Sequence, residues 1–351
     1  MFIITTCAGI TRSGKLLLVW LTALISVAFL NGCATADIGP SLQRKVKEKT
    51  YVIIGASSGF GRGVAEKVGK TGAKVLIAAR RGEALEEVAR VIRAGGGTAI
   101  VLPTDISQPE AVAALQKVAV RELGHVDVWI NMAGVGVIGR FWEIPIEDQA
   151  KIIDINLKGF VYGSHAAVNI FKTQGYGTLI NMGSIESINP LAYHASYSAT
   201  KAGVLNLSKI INHELRLAGY KNIKVVTIEP WAVDTPFWRH SANYSGGTAR
   251  MAAMDPPEKV VNAVVRVSIR PRRELAVGWK AKGAKFSHWL LPGFTERISA
   301  NIAHRYQIRK APPADTTSGS VFHPMKEGTG IDDGVRDRMK REKKEMKKKR
   351  R

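Results

Sequence analysis

The chain has 351 residues, 45% of them hydrophobic, and a formal net charge of +22, so it can bury one full domain of roughly 250 residues with appendages. Its two cysteines, Cys7 and Cys33, lie at the extreme N-terminus, which excludes a disulfide framework or a cysteine metal site in the body. The basic excess calls for an acidic partner or surface without saying which.

Arg12 and Lys15 precede an uncharged apolar run over residues 16–30, followed by Asn31-Gly32-Cys33. That is the layout of a secretory signal, and Leu30-Asn31-Gly32-Cys33 resembles a lipoprotein cleavage box whose cysteine is lipidated. The run is short for a spanning helix, which needs about 20 residues, so signal and anchor both stay open, as does a buried extension. Residues 1–42 are therefore expected to bring the protein to a membrane. Arg44, Lys45, Lys47 and Lys49 favour a cytoplasmic-facing body under the positive-inside rule; a lipoprotein reading would export it instead.

From residue 50 short apolar runs alternate with amphipathic helical stretches, the pattern of a parallel sheet covered on both faces. The runs predict strands over 51–54, 74–79, 98–102, 126–131, 178–182, 223–228 and 274–277. The expected fold is α/β, a doubly wound Rossmann-type sheet of seven strands in a single domain over residues 43–280. The first strand ends in Gly55-Ala56-Ser57-Ser58-Gly59-Phe60-Gly61 and runs into a helix, where bare backbone can approach a pyrophosphate and the helix start favours its charge. At the end of the second strand, where an acidic residue would hold a ribose hydroxyl, stand Ala79, Arg80 and Arg81. Arg80 would add a charge-assisted contact to a 2′-phosphate worth about 1.5–3 kcal/mol, favouring NADP over NAD; solvated helix-start charges are the plainer alternative. Asp105, closing the third strand, is placed either to accept from an adenine amino group or to cap the next helix.

The reacting centre is expected at Tyr197-Ser198-Ala199-Thr200-Lys201. Residues four apart share a helix face, which lets the phenol and the ammonium act on one substrate atom. Proton exchange near neutral pH requires the tyrosine pKa to fall by about 2–3 units. A lysine charge about 4 Å away supplies roughly that much. A second Tyr-x-x-x-Lys, Tyr220 to Lys224, runs into a strand-like stretch and reads as a chance match.

With Asn131-Met132-Ala133-Gly134 closing the fourth strand, the chain from about residue 49 to 277 resembles the short-chain dehydrogenases/reductases of the compact, non-extended branch. The resemblance implies a nicotinamide cofactor, an alcohol or carbonyl substrate and a catalytic Asn, Ser, Tyr and Lys set. Asn156 in Asp154-Ile155-Asn156-Leu157-Lys158-Gly159 would hold a proton-relaying water. Ser184 would hydrogen-bond the substrate oxygen, with Ser187 a less well-placed substitute. Tyr197 would be the general acid or base, and Lys201 would also bind the ribose hydroxyls. Cofactor contacts are expected from Gly55, Ser57, Gly59, Phe60, Gly61, Arg80, Asp105, Asn131, Ala133, Gly134, Tyr197, Lys201, Pro230, Val233 and Thr235, the last on the nicotinamide carboxamide. Ile54, Met132, Gly183 and Trp231 depart from the family pattern, and Trp231 would crowd or line the substrate pocket. Helices over 148–171 and 194–217 commonly pair subunits in this family, so a homo-oligomer is expected.

Phe237, Trp238 and Tyr244 suggest a lid over an apolar, lipid-like substrate. Residues 281–310, read as an amphipathic helical segment interrupted by Pro292, mix Phe286, Trp289, Leu290 and Leu291 with Lys282, Lys285 and Arg297, which suits either an anionic membrane surface or packing on the substrate lobe. Over 311–334 proline, glycine, serine and threonine dominate, predicting little fixed structure. Residues 336–351 carry eleven Lys or Arg against three Asp or Glu, which reads as a basic end, and 311–351 as a flexible tail. The function expected is NADP-dependent hydride transfer. The competing reading, a nucleotide fold that binds an anionic surface or nucleic acid without chemistry, has the complete polar set against it.

Overall fold

A computed structural model describes residues 35–348. The leader, including Cys33, lies outside the described residues. Seven parallel strands form the sheet: β1 (Thr50–Ile54), β2 (Lys74–Ala79), β3 (Thr98–Pro103), β4 (Val128–Asn131), β6 (Gly177–Met182), β7 (Ile223–Pro230) and β9 (Glu274–Val277). Their order is β3-β2-β1-β4-β6-β7-β9, so the connection from β3 back across β1 to β4 reverses the winding and opens a crevice at the carboxyl ends of β1 and β4. Strands covered on both faces lose the polar-apolar alternation. All five residues of β1 are buried, and the Tyr51 hydroxyl finds its partner in Ser268, 3.1 Å away. A separate pair, β5 (Val137–Ile138) with β8 (Ala242–Asn243), ties the loop after β4 to the substrate lobe.

Val64, Val68, Leu85, Val88, Ile92 and Val264 fill the core beneath helices Gly59–Gly69, Gly82–Ala94 and Glu258–Ile269. Leu115, Ala166 and Phe171 do so beneath Pro109–Leu123 and Gly159–Gln174 on the other face. The N-terminal helix Pro40–Lys47 is seated by Leu42 and Val46, and buried Asp127 then accepts from Thr50 N (2.9 Å) and Lys49 Nζ (3.0 Å) to fix the start of β1.

The tail beyond residue 310, though not the helical segment before it, departs from expectation. Residues 281–310 form two helices, Gly278–Leu290 and Pro292–Ala303. Lys285 bonds Glu229 of β7 and Glu274 of β9 (2.8 and 2.7 Å), pinning the first to the sheet edge. Residues 311–334 have few side chains to bury, yet they run across the carboxyl ends of the strands. They hydrogen-bond there through their backbone: Asn243 and Thr317 exchange a pair of bonds, and Ala314 N donates to Gly246 O. The basic end forms a helix, Val335–Lys348, whose first amides donate to Asp234 (both 2.9 Å). Arg250, buried, forks onto Glu342 of the same helix. Among the described residues no helix is long and apolar enough to cross a membrane.

Candidate active site

One cleft of about 240 Å³ runs along the carboxyl ends of the strands. Its floor is the glycine turn after β1. Gly55 sits at φ +92, and a Cβ there would fall 2.5 Å from Ala133 N; at Gly61 it would fall 2.1 Å from Gly55 O. Only bare backbone fits between β1 and β4, and the first turn of the helix beginning at Gly59 lines the cleft through Gly59, Phe60 and Gly61. The cradle therefore fits a dinucleotide pyrophosphate.

At one end of the cleft stand Arg80 and Arg81. Arg81 Nη2 donates to Ser57 Oγ (3.0 Å) and Ser58 Oγ (2.7 Å), while its Nη1 and all of Arg80's bonds go to main-chain carbonyls of 320–328. Neither guanidinium forms an ion pair with a carboxylate among the described residues. Burial lowers the pKa of both, each guanidinium being short of water; Asp105 opposes this for Arg80, and the Arg80 charge adds to it for Arg81. The two adjacent, half-desolvated cations are thus bonded only to neutral acceptors. Asp105 lines the same end, but its Oδ1 also accepts from Ser107 N (2.9 Å) and Oγ (2.8 Å), the local turn that starts the next helix.

At the other end, helix Ala195–Leu217 carries Tyr197 and Lys201, and Ser184 follows β6. Ser184 and Ser187 close a reciprocal cap around the short turn Ile185–Ser187, which fixes the Ser184 hydroxyl at the cleft wall. Lys201 is buried, donates to Met182 O (2.8 Å) and lies over the rings of Phe160 (4.8 Å) and Tyr197 (5.6 Å). Burial pushes its pKa down to about 7, against the pull of Glu186. The tyrosine moves the opposite way from the sequence expectation. Desolvation and the Glu186 carboxylate push the Tyr197 phenol far above its ordinary value, and the neighbouring Ser184 hydroxyl only partly offsets them. A lysine that is itself losing its proton supplies little charge to lower a phenol.

The cleft gathers Gly55, Ser57, Gly59, Phe60, Gly61, Arg80, Asp105, Ala133, Gly134, Ser184, Tyr197, Lys201, Pro230, Val233 and Thr235. Asn156 stands just behind. It sits in a π-helical turn, Asp154–Lys158, exchanges hydrogen bonds with Val135 O (2.8 Å) and N (3.0 Å), and backs Gly134. Its amide therefore braces the loop after β4. Asn131 does not join the cleft: on β4 it shares a face with Trp129, whose Nε1 it accepts at 2.9 Å, and it donates to Asn181 (2.8 Å) inside the core. Its side chain is thus a core group and not a cofactor contact.

Glu186 and Gln307 were not legible beforehand. Glu186 accepts from Ser198 Oγ (2.7 Å) and His194 Nδ1 (3.1 Å), and the far ring nitrogen of His194 meets Gln307 Nε2 (2.8 Å), all beside Tyr197. Trp231, Phe237, Trp238, Met251, Leu191 and Ile302 give the reacting end its apolar lining. Tyr244 instead donates to Asp148 (2.7 Å). The second Tyr-x-x-x-Lys is dispersed, Tyr220 preceding β7 and Lys224 lying within it.

The short chain dehydrogenase family model matches residues 49–244, more than half of the chain. This protein is a short-chain dehydrogenase. It is 32% identical over 282 residues to an uncharacterised oxidoreductase, YxnA, of Bacillus subtilis, covering 80% of this chain and 79% of that one. Over 193 residues it is 36% identical to 3beta-hydroxysteroid dehydrogenase 1 of Eggerthella lenta, covering 54% of this dehydrogenase and 73% of the relative. Among solved structures it resembles an alcohol dehydrogenase of Thermococcus sibiricus complexed with 5-hydroxy-NADP, at TM-score 0.57 and 25% identity, covering 65% and 95% of the two chains. A metagenomic short-chain oxidoreductase in complex with NADP gives TM-score 0.56 and 28% identity, covering 65% and 96%. The dehydrogenase is accordingly an oxidoreductase of the nicotinamide-dependent type, and its fold is the expected doubly wound sheet.

Proposed function

We propose that this dehydrogenase uses NADP(H) to interconvert a carbonyl and a hydroxyl on an apolar, lipid-like substrate, with Tyr197 exchanging the proton. The observation that carries the reading is the placement of Tyr197, Ser184 and Lys201 on one wall of a cleft whose opposite end offers two unpaired guanidiniums. When bound, the nicotinamide supplies or accepts the hydride. Ser184 and Tyr197 donate to the carbonyl oxygen as negative charge gathers on it. A phenol held protonated well past neutral pH is the form that delivers a proton, so the reductive direction suits this site at pH 7. Below about pH 7, where Lys201 keeps its proton, its ammonium next to the phenol compensates the phenolate that remains. The arginine pair favours the phosphorylated cofactor, since a 2′-phosphate brings the dianion it lacks.

The lining of Trp231, Phe237, Trp238 and Met251 supports an apolar substrate, and the hydroxysteroid named for the Eggerthella lenta relative is of that kind. Membrane association draws support from the two helices at the sheet edge. Trp279, Phe286, Trp289, Leu290, Leu291 and Phe294 are all more than half exposed there, and the second helix also lines the cleft through Ser299 and Ile302. An aromatic hairpin on a strongly basic protein suits an anionic lipid interface from which an apolar substrate could enter the cleft. The deciding experiment follows NADPH oxidation by the full chain with a panel of ketones of rising hydrophobicity, with and without anionic vesicles. Turnover that grows with hydrophobicity is expected. No turnover with any ketone or with the matching alcohols and NADP would overturn the reading.

A further inference from the structure

The strap over residues 320–330 sinks one side chain, Val321, into the core, and its backbone is spent on one place. Ser320 O, Val321 O (3.3 Å) and Phe322 O (3.2 Å) accept from Arg80. Met325 O (3.2 Å), Glu327 O (3.3 Å) and Gly328 O (3.5 Å) accept from Arg81 Nη1. Thr329 O accepts from Arg62 (3.1 Å), and Gly330 O takes the amide of Gly59 (2.9 Å) at the start of the helix behind the glycine turn. Ser320 and Pro324 line the same cleft as Ser57, Arg80 and Arg81.

A long arginine side chain loses rotamer freedom when it is fixed, and neutral carbonyls fix it without cancelling its charge. The division of Arg81's donors shows the result. Nη1 is held by the strap, while Nε and Nη2 are turned onto Ser57 and Ser58 (2.7–3.2 Å), the hydroxyls beside which a ribose phosphate would exchange into these contacts. The strap is tied down at its far end by Arg239 to Asp333 (2.9 Å), by Asp234 on the first amides of helix Val335–Lys348, and by Arg250 on Glu342.

We infer that the C-terminal strap is a specificity element of the cofactor site: it preorganises Arg80 and Arg81 for a 2′-phosphate, so that discrimination between NADPH and NADH depends on residues some 240 positions away from the arginines. The inference rests on the NADP reading above. Its positioning role predicts a cofactor-specific signature, because NADH carries no group for these guanidiniums.

The test measures NADPH and NADH affinities by fluorescence on the full chain and two strap variants. In Gly319→Val a Cβ would fall 2.4 Å from His240 O at a φ of +54, so the strap must leave its seat. Val321→Lys forces an ammonium into a fully buried core position at the residue whose carbonyl holds Arg80, so the strap must shift there. Each variant is expected to weaken NADPH at least about tenfold and NADH less than about twofold, with Arg81→Met showing the same pattern and no further loss when combined with either. Equal weakening of both nucleotides, no change, or tighter NADPH binding would overturn the inference, the last by making the strap a competitor. If Arg81→Met erases an NADPH preference that the strap variants leave intact, the strap inference alone fails. If the unaltered chain shows no NADPH preference and Arg81→Met changes nothing, the NADP reading fails with it. Should both variants fold poorly, tryptic cleavage after exposed Lys326 in the unaltered chain decides: saturating NADPH should slow it several-fold more than saturating NADH, and equal rates refute the role.

Discussion

The two ends of the cleft are built by different means. At the reacting end, Ser184, Glu186, Tyr197 and Lys201 come from one strand end and the first turns of the helix that follows, and they bond one another or the adjacent backbone. At the arginine end, Arg80 and Arg81 follow β2 and are completed by carbonyls from the C-terminal strap. The first arrangement is locally encoded and rigid. The second exists only once the whole chain has folded, so damage to the strap should reach cofactor choice before it reaches chemistry.

The sharpest way to separate the ends is Tyr197→Phe. It keeps the ring contacts with Phe237 (5.3 Å) and His194 (6.2 Å) and removes only the hydroxyl, so the fold should stand while kcat falls by about 10²–10⁴-fold. Nucleotide affinity should move little. If kcat survived, another group would have to supply the proton, and the comparison would collapse. At the other end, Arg80→Ala should weaken NADPH by about 1.5–3 kcal/mol in a titration while leaving kcat at saturation within a few-fold. A fall in kcat with unchanged affinity would show that the ends are not separable.

The same contrast governs how much was legible in the sequence. The seven strands fall within a residue or two of the apolar runs that announce them, because a parallel strand covered on both faces is mostly apolar. Tyr197, Lys201, Ser184 and the glycines converge because their types and spacing are what the backbone geometry requires. Asn131 misled for a reason in the pleat: a polar residue closing a strand can face the crevice or the core, and here i, i+2 pairing with Trp129 sends it inward. Glu186 lay two residues from Ser184, but nothing local tells a cleft carboxylate from a surface one; its partners Ser198 and His194 arrive on the next helix. The strap was invisible for a deeper reason. Its bonds to the arginines use carbonyls, which every residue owns, so its composition of Pro, Gly, Ser and Thr reads as unstructured although its backbone is engaged.

The last effect lies in the titration of Lys201. Its pKa in the folded chain is about 7, against 10.5 ordinarily. Below pH 7 both folded and unfolded chains hold the proton, and the fold bears the full cost of a buried ammonium. Between about pH 7 and 10.5 the unfolded chain still binds that proton while the folded chain has released it, so this group's contribution to stability rises with pH over that window. Urea midpoints of the chain and of Lys201→Met should therefore converge as pH rises from 7 to 9, since methionine bears no such cost at any pH. The rigid end of the cleft would then be held together best where its lysine is neutral. A constant gap across the window would mean that Lys201 stays charged in the fold, in which case it would be free to lower the phenol as its spacing from Tyr197 first suggested.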